Sequence, residues 1–234
     1  MCKHSKLYSA MVLAGIIGVS ESREIYYQED FSGGAIPFGW ITDDLSGQNA
    51  FWTYCADPTT GQSNGCPPLW DDGLNQQGPF ASSSANNGFM TLDSDIYGNL
   101  PQNHVSTLTA GPFNLSGASS VHVEFQGFIG AYTVVPANNA VFQVSNDGGN
   151  NWTTYAPYPN LTLGTPDPPN VRWSYNPTFS SFDVSAVAAG QSGVFMRFSW
   201  TGNFEFLWSV DDFVVASLPD LIFTDGMEEP PPPP

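Results

Sequence analysis

The chain has 234 residues, of which 41% are apolar and 14% aromatic, which is enough to bury one sizeable core. Its formal net charge is -17, with five Lys and Arg against 22 Asp and Glu. Nucleic acids and anionic membranes bind clustered cations, so this charge argues against both as partners. Divalent cations are the more natural partners of such a chain.

Residues 1–22 predict a secretory signal peptide. Lys3 and Lys6 form a basic start, and the apolar run 7–19 that follows is too short for a comfortable membrane span. We therefore expect an exported protein, located outside the cell or at its surface, with no membrane insertion once the signal is removed.

The remaining chain divides into two parts. Residues 23–218 carry the apolar patterns of a folded domain, which we expect to be a single unit. Residues 219–234 end in five prolines and predict an extended, proline-rich C-terminal tail.

Two cysteines lie in the predicted domain. Cys55 and Cys66 enclose a polar, glycine-containing loop, and an exported chain is exposed to oxidising conditions. We expect a disulfide that closes this loop. A two-cysteine metal site is the weaker reading, because no histidine lies nearby to complete it.

Short apolar runs between turn signals predict an all-β domain. The strands predicted in this way are residues 24–31, 89–95, 105–113, 121–129, 141–144, 194–200 and 204–215, with one helical turn within 182–190. Residues 42–87 form a long excursion rich in Gly, Asn, Ser and Pro, and residues 157–177 form a proline-interrupted connection. In the fourth strand, alternation predicts that His122, Glu124 and Gln126 face outward.

The final strand carries two neighbouring acids. Simple alternation over residues 208–215 places Asp211 and Asp212 on opposite faces, both of which are largely apolar. At least one carboxylate must then lie at the margin of a core. An unpaired charge there is costly unless it is hydrogen-bonded, paired with Arg or Lys, or bound to a metal.

Residues 145–152 fit the spacing Ser-x-Asp-x-Gly-x-x-Trp of an Asp-box hairpin. In such a hairpin the Asp side chain bonds turn amides, the glycines allow positive φ and the Trp packs beneath. We expect a structural role. A propeller would need the unit repeated at regular spacing, and the sequence has one copy.

Several of these segments together resemble a known module. They are residues 29–31, 37–40, 92–95, 145–152, 182–185, 197–198 and 208–212. In order and spacing, over residues 25–217, they are similar to the MAM-like jelly-roll domains of secreted bacterial proteins, a group that includes cleaved-adhesin and choice-of-anchor surface modules. The resemblance implies a two-sheet antiparallel jelly-roll β-sandwich with long loops, and a binding or adhesive role outside the cell, often beside catalytic domains.

Jelly-roll sandwiches of this kind often carry a structural calcium ion where the first and last strands meet. The oxygen ligands implied here are Glu29 or Asp30, Asp211 or Asp212, and further Asp93 and Asp95. Calcium takes six to eight oxygens, which carboxylates and loop carbonyls supply. In the alternative, backbone amides cap these acids or Arg172 and Arg197 pair with them.

Three aromatic residues flank the expected disulfide loop. Trp52, Tyr54 and Trp70 could stack on sugar rings, or they could pack the long loop onto the sandwich. Both readings remain open at this stage.

No catalytic set is evident. Paired carboxylates are also found in glycosidases, but nothing else in the chain supports hydrolysis, and no Ser or Cys is marked as a nucleophile. We expect His104, in a loop, and His122 to be solvated. The expected function is a secreted, non-enzymatic module that recognises an extracellular glycan or surface protein. The alternatives are a structural subunit that self-assembles and an accessory domain of a secreted hydrolase.

Overall fold

The computed structural model describes residues 22–58, 66, 70–71, 76–131, 136–161 and 172–218. The predicted signal peptide, except for its last residue, and the predicted proline-rich tail lie outside the described residues. In the described part of the chain, no helix is both long and apolar enough to span a bilayer.

Short strands dominate the chain, with little helix. The strands are β1 (Ile25–Glu29), β2 (Trp40–Asp44), β3 (Thr53–Cys55), β4 (Trp70–Asp71), β5 (Gln76–Gly78), β6 (Phe89–Asp93), β7 (His104–Phe113), β8 (His122–Ala131), β9 (Ala140–Ser145), β10 (Thr153–Tyr155), β11 (Arg172–Trp173), β12 (Thr178–Asp183), β13 (Val194–Gly202) and β14 (Leu207–Ala216). The helices are α1 (Pro136–Asn139), α2 (Ser185–Ala188) and a 3-10 turn at Ala85–Asn87.

Two antiparallel sheets stack face to face. The seven-stranded sheet has the order β11-β8-β14-β6-β3, with β12 also on β8 and β1 also on β14, and the five-stranded sheet has the order β10-β9-β13-β7-β2. Between the sheets lies an aromatic core that includes Phe125, Phe142, Phe198, Trp208 and Phe213. The predicted jelly-roll β-sandwich is therefore confirmed.

Several strands at the edges of the sheets were not predicted, and β2 and β12 are the longest of them. β2 begins at Trp40 and runs into the segment that the sequence marked as an excursion, and β12 was assigned no strand. β2 has a neighbour on one side only, and β12 pairs with β8 alone. Such strands mix polar and apolar residues without a long apolar run, so they carry a weak sequence signal.

A bulge in β14 overturns the simple alternation expected for this strand. Its register with β8 shifts between Asp211 and Val214, and Asp212 has a φ of 50°. The extra residue changes which positions face inward. The core-facing residues are Trp208, Val210, Phe213 and Val215. Four apolar side chains thus reach one core, while Asp211 is directed to the outer face of the sheet with Ser209.

The polar residues of β8 lie on its outer face, as alternation predicted, but Glu124 and Gln126 are not exposed to solvent. Glu124 is 3% exposed and Gln126 is 8% exposed. β8 is a central strand, and other parts of the chain cover its outer face. Glu124 receives two hydrogen bonds from Arg23, Nη1 to Oε1 at 3.1 Å and Nη2 to Oε2 at 2.7 Å.

The predicted disulfide is confirmed. Cys55 and Cys66 are bonded, with their Cα atoms 5.5 Å apart. Both sulfurs belong to a second apolar cluster, with Phe89, Phe128 and Leu207 among its members. The described parts of the excursion that carry Cys66, Phe80 and Ala85 therefore pack on the outer face of the seven-stranded sheet, where the disulfide links Cys66 to β3.

Candidate functional site

The two aspartates of β14 meet a run of serines that crosses the outer face of the seven-stranded sheet. We call the following six residues the serine-aspartate cluster: Ser82, Ser83, Ser84, Gln126, Asp211 and Asp212. Gln126 is the cross-strand partner of Asp211. The sequence did not identify the serines, because they lie in the excursion, more than 120 positions away from the acids.

Hydroxyl groups cover both carboxylates. Asp211 Oδ2 accepts a hydrogen bond from Ser82, and Asp212 accepts one from Ser83 and one from Gln126 Nε2 at 2.9 Å. Ser84 Oγ lies 2.9 Å from Asp211 Oδ2 and 2.6 Å from Asp212 Oδ1. A hydroxyl has one proton to donate, so the second of these contacts is satisfied when one carboxyl is protonated.

Burial favours the protonated form of Asp211. This residue is fully buried, and burial, with a further contribution from the charge of Asp212, raises the pKa of Asp211 to about 7. The cluster thus stabilises its acids by hydrogen bonds from hydroxyl groups and by partial protonation, and hydrogen bonding is one of the options that the sequence left open.

Pairing of Arg197 with these acids, one of the alternatives raised above, is wrong. Arg197 lies on β13 of the other sheet, where its Nε donates to Gln143 Oε1 at 2.7 Å. The side chain of Arg172 lies outside the described residues.

The other expected calcium ligands do not join Asp211 and Asp212. Glu29 ends β1 opposite Phe213, and its Oε1 accepts the backbone N–H of Phe31 at 2.8 Å. Asp30 is exposed and bonds Ser32. Within the described ranges, no three His, Cys, Asp or Glu side chains form a group that could hold a metal ion.

Asp93 ends β6, beside the start of β14, and Asp95 lies just beyond it. Asp93 pairs with Leu207, four residues before Asp211, which places it about 13 Å along β14 from the aspartate pair. Its Oδ1 accepts the backbone N–H of Asp95 at 3.0 Å, and it therefore closes a local turn. The structure separates these two acids from the serine-aspartate cluster.

Calcium binding remains a prediction, and it concerns Asp211 and Asp212 together with the hydroxyl and amide oxygens around them. This donor set is rich in the hard oxygens that calcium prefers. If only the folded state binds the ion, a free calcium concentration of about one hundred times Kd raises the free energy of unfolding by about 2.7 kcal/mol. We expect the melting temperature to rise with millimolar calcium and to fall with chelator.

Two variants serve as controls for this calcium titration. D212N should abolish the calcium response, whereas D93N, at the end of β6 and away from the aspartate pair, should retain it. A melting temperature that is the same in chelator and in calcium would reject the metal.

The aromatic residues expected to stack on sugars are differently placed. Trp52 is 2% exposed and packs against Trp208 in the core, with ring centroids 5.3 Å apart, so its ring is not available to a ligand. Tyr54 is half-buried, and its hydroxyl donates to the carbonyl of Asn87 at 3.3 Å. The side chain of Trp70 lies outside the described residues.

A more exposed aromatic residue is Tyr175, which is 86% exposed. It lies beside a groove of about 620 Å³ whose walls include Pro157, Tyr158, Trp173 and Phe179. The sequence gave no sign of this groove, because its walls come from an irregular, proline-interrupted segment.

The outer face of the five-stranded sheet carries a polar row that crosses all its strands. The cross-strand partners in this row, which we call the Arg197 row, are Ile41, Thr109, Arg197, Gln143 and Thr154. Five strands spaced by about 4.8 Å give the row a length of about 19 Å. The end residues are exposed and the middle three are half-buried.

Side chains in the Arg197 row are held in place by one another. Gln143 accepts from Arg197 Nε and donates through Nε2 to Thr154 Oγ1 at 3.0 Å. The guanidinium of Arg197 lies over the ring of Trp152, 3.9 Å from its centroid. Stacking and hydrogen bonding together orient the guanidinium before any ligand arrives.

The predicted Asp-box hairpin positions Trp152. Asp147 Oδ1 accepts the backbone N–H of Asn151 at 2.9 Å, and Trp152 Nε1 donates to the carbonyl of Gly149 at 2.8 Å. The hydrogen bonds from Asn151 hold the pKa of Asp147 at about 2. The hairpin joins β9 to β10, so it presents Trp152 at the edge of the polar row.

The expectation that His104 is solvated was wrong. His104 is the first residue of β7 and is fully buried, and its Nε2 accepts a hydrogen bond from Trp200 Nε1 at 3.1 Å. Burial lowers its pKa. We therefore assign His104 to the packing of the core.

These observations define the class of the protein as an all-β, two-sheet jelly-roll sandwich with a disulfide-stapled outer layer and a polar row across its smaller sheet. No protein-family profile and no curated protein sequence matches the chain.

Among solved structures, the chain is similar to the K3 cleaved adhesin domain of Lys-gingipain from Porphyromonas gingivalis, at 18% identity and a TM-score of 0.46, covering 83% of this chain and 99% of that one. It is also similar to TmCBM61 in complex with β-1,4-galactotriose, at 13% identity and a TM-score of 0.45, covering 82% of this chain and 97% of that one. A third similar structure is the family 11 carbohydrate-binding module from Clostridium thermocellum, at 10% identity and a TM-score of 0.40, covering 80% of this chain and 94% of that one.

Proposed function

We propose that this protein is a secreted, non-catalytic module that binds an extracellular glycan along the Arg197 row. The observation that carries the proposal is the row itself, an oriented set of amide, hydroxyl and guanidinium groups beside a tryptophan. Such groups match the hydroxyls of a sugar chain, and the aromatic ring supplies an apolar surface for its C–H groups. A length of about 19 Å accommodates several sugar rings.

The acids of β14 are poorly suited to glycoside hydrolysis, which supports a binding role. A glycosidase places two carboxyl groups on either side of the bond it cleaves. Asp211 and Asp212 are consecutive, hydrogen-bonded to the same serine, and Asp211 is fully buried. A sugar cannot lie between them without displacing that serine.

A glycan array with the exported protein, combined with a hydrolase panel on the same glycans, tests the proposal. We expect binding without turnover, and we expect W152A to abolish binding by removing the ring beneath Arg197. Y175A is the matched control, because it removes an exposed aromatic residue that belongs to the groove and not to the row. Loss of binding in Y175A but not in W152A would move the site to the groove, and turnover of any glycan would contradict a non-catalytic role.

Assembly into a surface structure is the second candidate. It is favoured by apolar residues around the edge strand β2, where Phe38 is fully exposed and Ile41 and Leu45 are each 59% exposed. Edge strands pair readily with other strands. Asp43 and Asp44 oppose the pairing of two copies, because an antiparallel pair would bring like charges together. Sedimentation velocity on the purified protein decides this, since oligomers or filaments would favour a structural subunit.

A further inference from the structure

Arg197 is an exception in a protein of net charge -17, because it has no acidic partner among the described residues. The ion pair found in that part of the chain joins Arg23 to Glu124. Arg197 uses Nε to bond Gln143 and its flat face to stack on Trp152. A guanidinium has five N–H donors, so the four on Nη1 and Nη2 are left for another partner.

Partial burial makes this arrangement costly. Arg197 is half-buried, and the loss of solvent lowers its pKa below the ordinary value. A cation that has lost part of its hydration and has no counter-ion is unfavourable, and an anion supplied by a ligand would offset the cost. A planar carboxylate fits the two Nη groups, since it can accept two parallel hydrogen bonds from them.

The acidic residues near the Arg197 row do not prevent an anion from binding to Arg197. Asp43 lies on the same face, two strands and two residues away, which is about 12 Å from Arg197 at the usual strand spacing and rise. Charges at that distance are largely screened, since the Debye length is about 8 Å at physiological salt. Asp147, in the hairpin that carries Trp152, is engaged by Ser145 and Asn151.

We propose that the glycan bound along the Arg197 row carries a uronic acid whose carboxylate pairs with the Nη groups of Arg197. This inference rests on the proposed function and names the chemical class of its ligand. A single acidic sugar within an otherwise neutral chain agrees with the charge of the protein, which would repel a polyanion. Neutral sugars would occupy the amide and hydroxyl positions on either side.

The test uses a glycan array in two forms, one with uronic acids intact and one in which their carboxyl groups have been reduced to alcohols. Binding limited to uronic acid-bearing glycans and lost on reduction supports the inference. Binding to neutral glycans, or binding that survives reduction, overturns it while leaving the proposed function intact. An array with no bound glycan contradicts the proposed function itself and the inference with it.

Variants of Arg197 then locate the carboxylate. On the tightest-binding acidic oligosaccharide of the array, we expect R197Q to weaken Kd about ten- to hundredfold, the range of a charge-assisted hydrogen-bonded pair. R197Q and the unaltered protein should bind the reduced oligosaccharide equally weakly, because the pair between a guanidinium and a carboxylate is missing in both complexes. R197K should have an intermediate Kd, since Lys supplies a positive charge but not the two parallel N–H donors of a guanidinium.

A melting curve shows whether R197Q is folded, and Y175A again serves as a surface variant outside the row. If R197Q is folded and retains its preference for the acidic form, the carboxylate lies elsewhere and the inference is wrong.

Discussion

Replacing Asp211 with Asn is expected to flatten the dependence of stability on pH between pH 4 and pH 8. Burial raises the pKa of Asp211 from 3.8 to about 7 in the folded protein. The folded state therefore binds this proton more tightly than the unfolded state does. The resulting stabilisation is complete below pH 4 and is lost as the pH rises through 7, and it amounts to at most about 4 kcal/mol.

Asparagine suits this position because it is neutral at every pH and has nearly the shape of a protonated aspartic acid. In chelator, D211N should be as stable as the unaltered protein near pH 4 and more stable than it at pH 8. Urea unfolding at half-unit pH steps measures the difference. A D211N protein with the same pH slope as the unaltered protein would show that Asp211 is not the group that titrates.

Two controls separate Asp211 from other acids. D147N removes a carboxyl whose pKa is about 2, so its titration lies below this window and the slope should not change. D93N removes a carboxyl whose pKa is raised to about 6, chiefly by burial, and it should flatten the acidic part of the slope alone. Bound calcium would reverse the slope contributed by Asp211, because the metal binds the ionised pair.

Removing Arg23 is expected to destabilise the fold by about 3 kcal/mol, because it removes the cation that is paired with the buried carboxylate of Glu124. Arg23 is the first residue after the predicted signal peptide, and its side chain is 23% exposed against 4% for Glu124. The pair joins the start of the domain to the central strand β8, 101 positions away. R23M measured by urea unfolding at pH 7 gives the cost directly.

The double variant R23M/E124Q is the matched control. The double variant has no buried carboxylate that could lose its cation, so it should recover a large part of the stability that R23M loses. A chain that begins at Glu24 should behave like R23M. If R23M and the double variant are equally stable, the loss in R23M does not come from the buried charge of Glu124.

The parts of the fold that were predicted correctly from the sequence depend on local patterns. The all-β class, the strands with long apolar runs, the disulfide and the Asp-box hairpin each depend on residues close to one another along the chain. Cys55 and Cys66, for instance, are separated by 11 positions, and Asp147 bonds a residue four positions away. For such features spacing alone is informative, since few geometries are possible.

The orientation of individual side chains required the folded chain. One extra residue in the bulge of β14 turned Phe213 and Val215 into the core and left Asp211 on the outer face. Alternation is a reliable guide along a regular strand, but it changes phase at a bulge, and no residue in this stretch marks where that happens. Glu124 does point outward, as alternation predicted, but it is buried, since the sequence does not show that other parts of the chain cover the outer face of its strand.

The candidate sites depended most on contacts between distant segments. Three consecutive serines in a polar excursion resemble any loop, and only the folding of that excursion over β14 brings them to Asp211 and Asp212. The Arg197 row likewise draws each of its residues from a different strand, so no stretch of sequence contains it. Composition and local spacing are thus sufficient for a fold class, whereas neutralisation of buried charge and the layout of a binding face are set by the pairing of strands far apart in the chain.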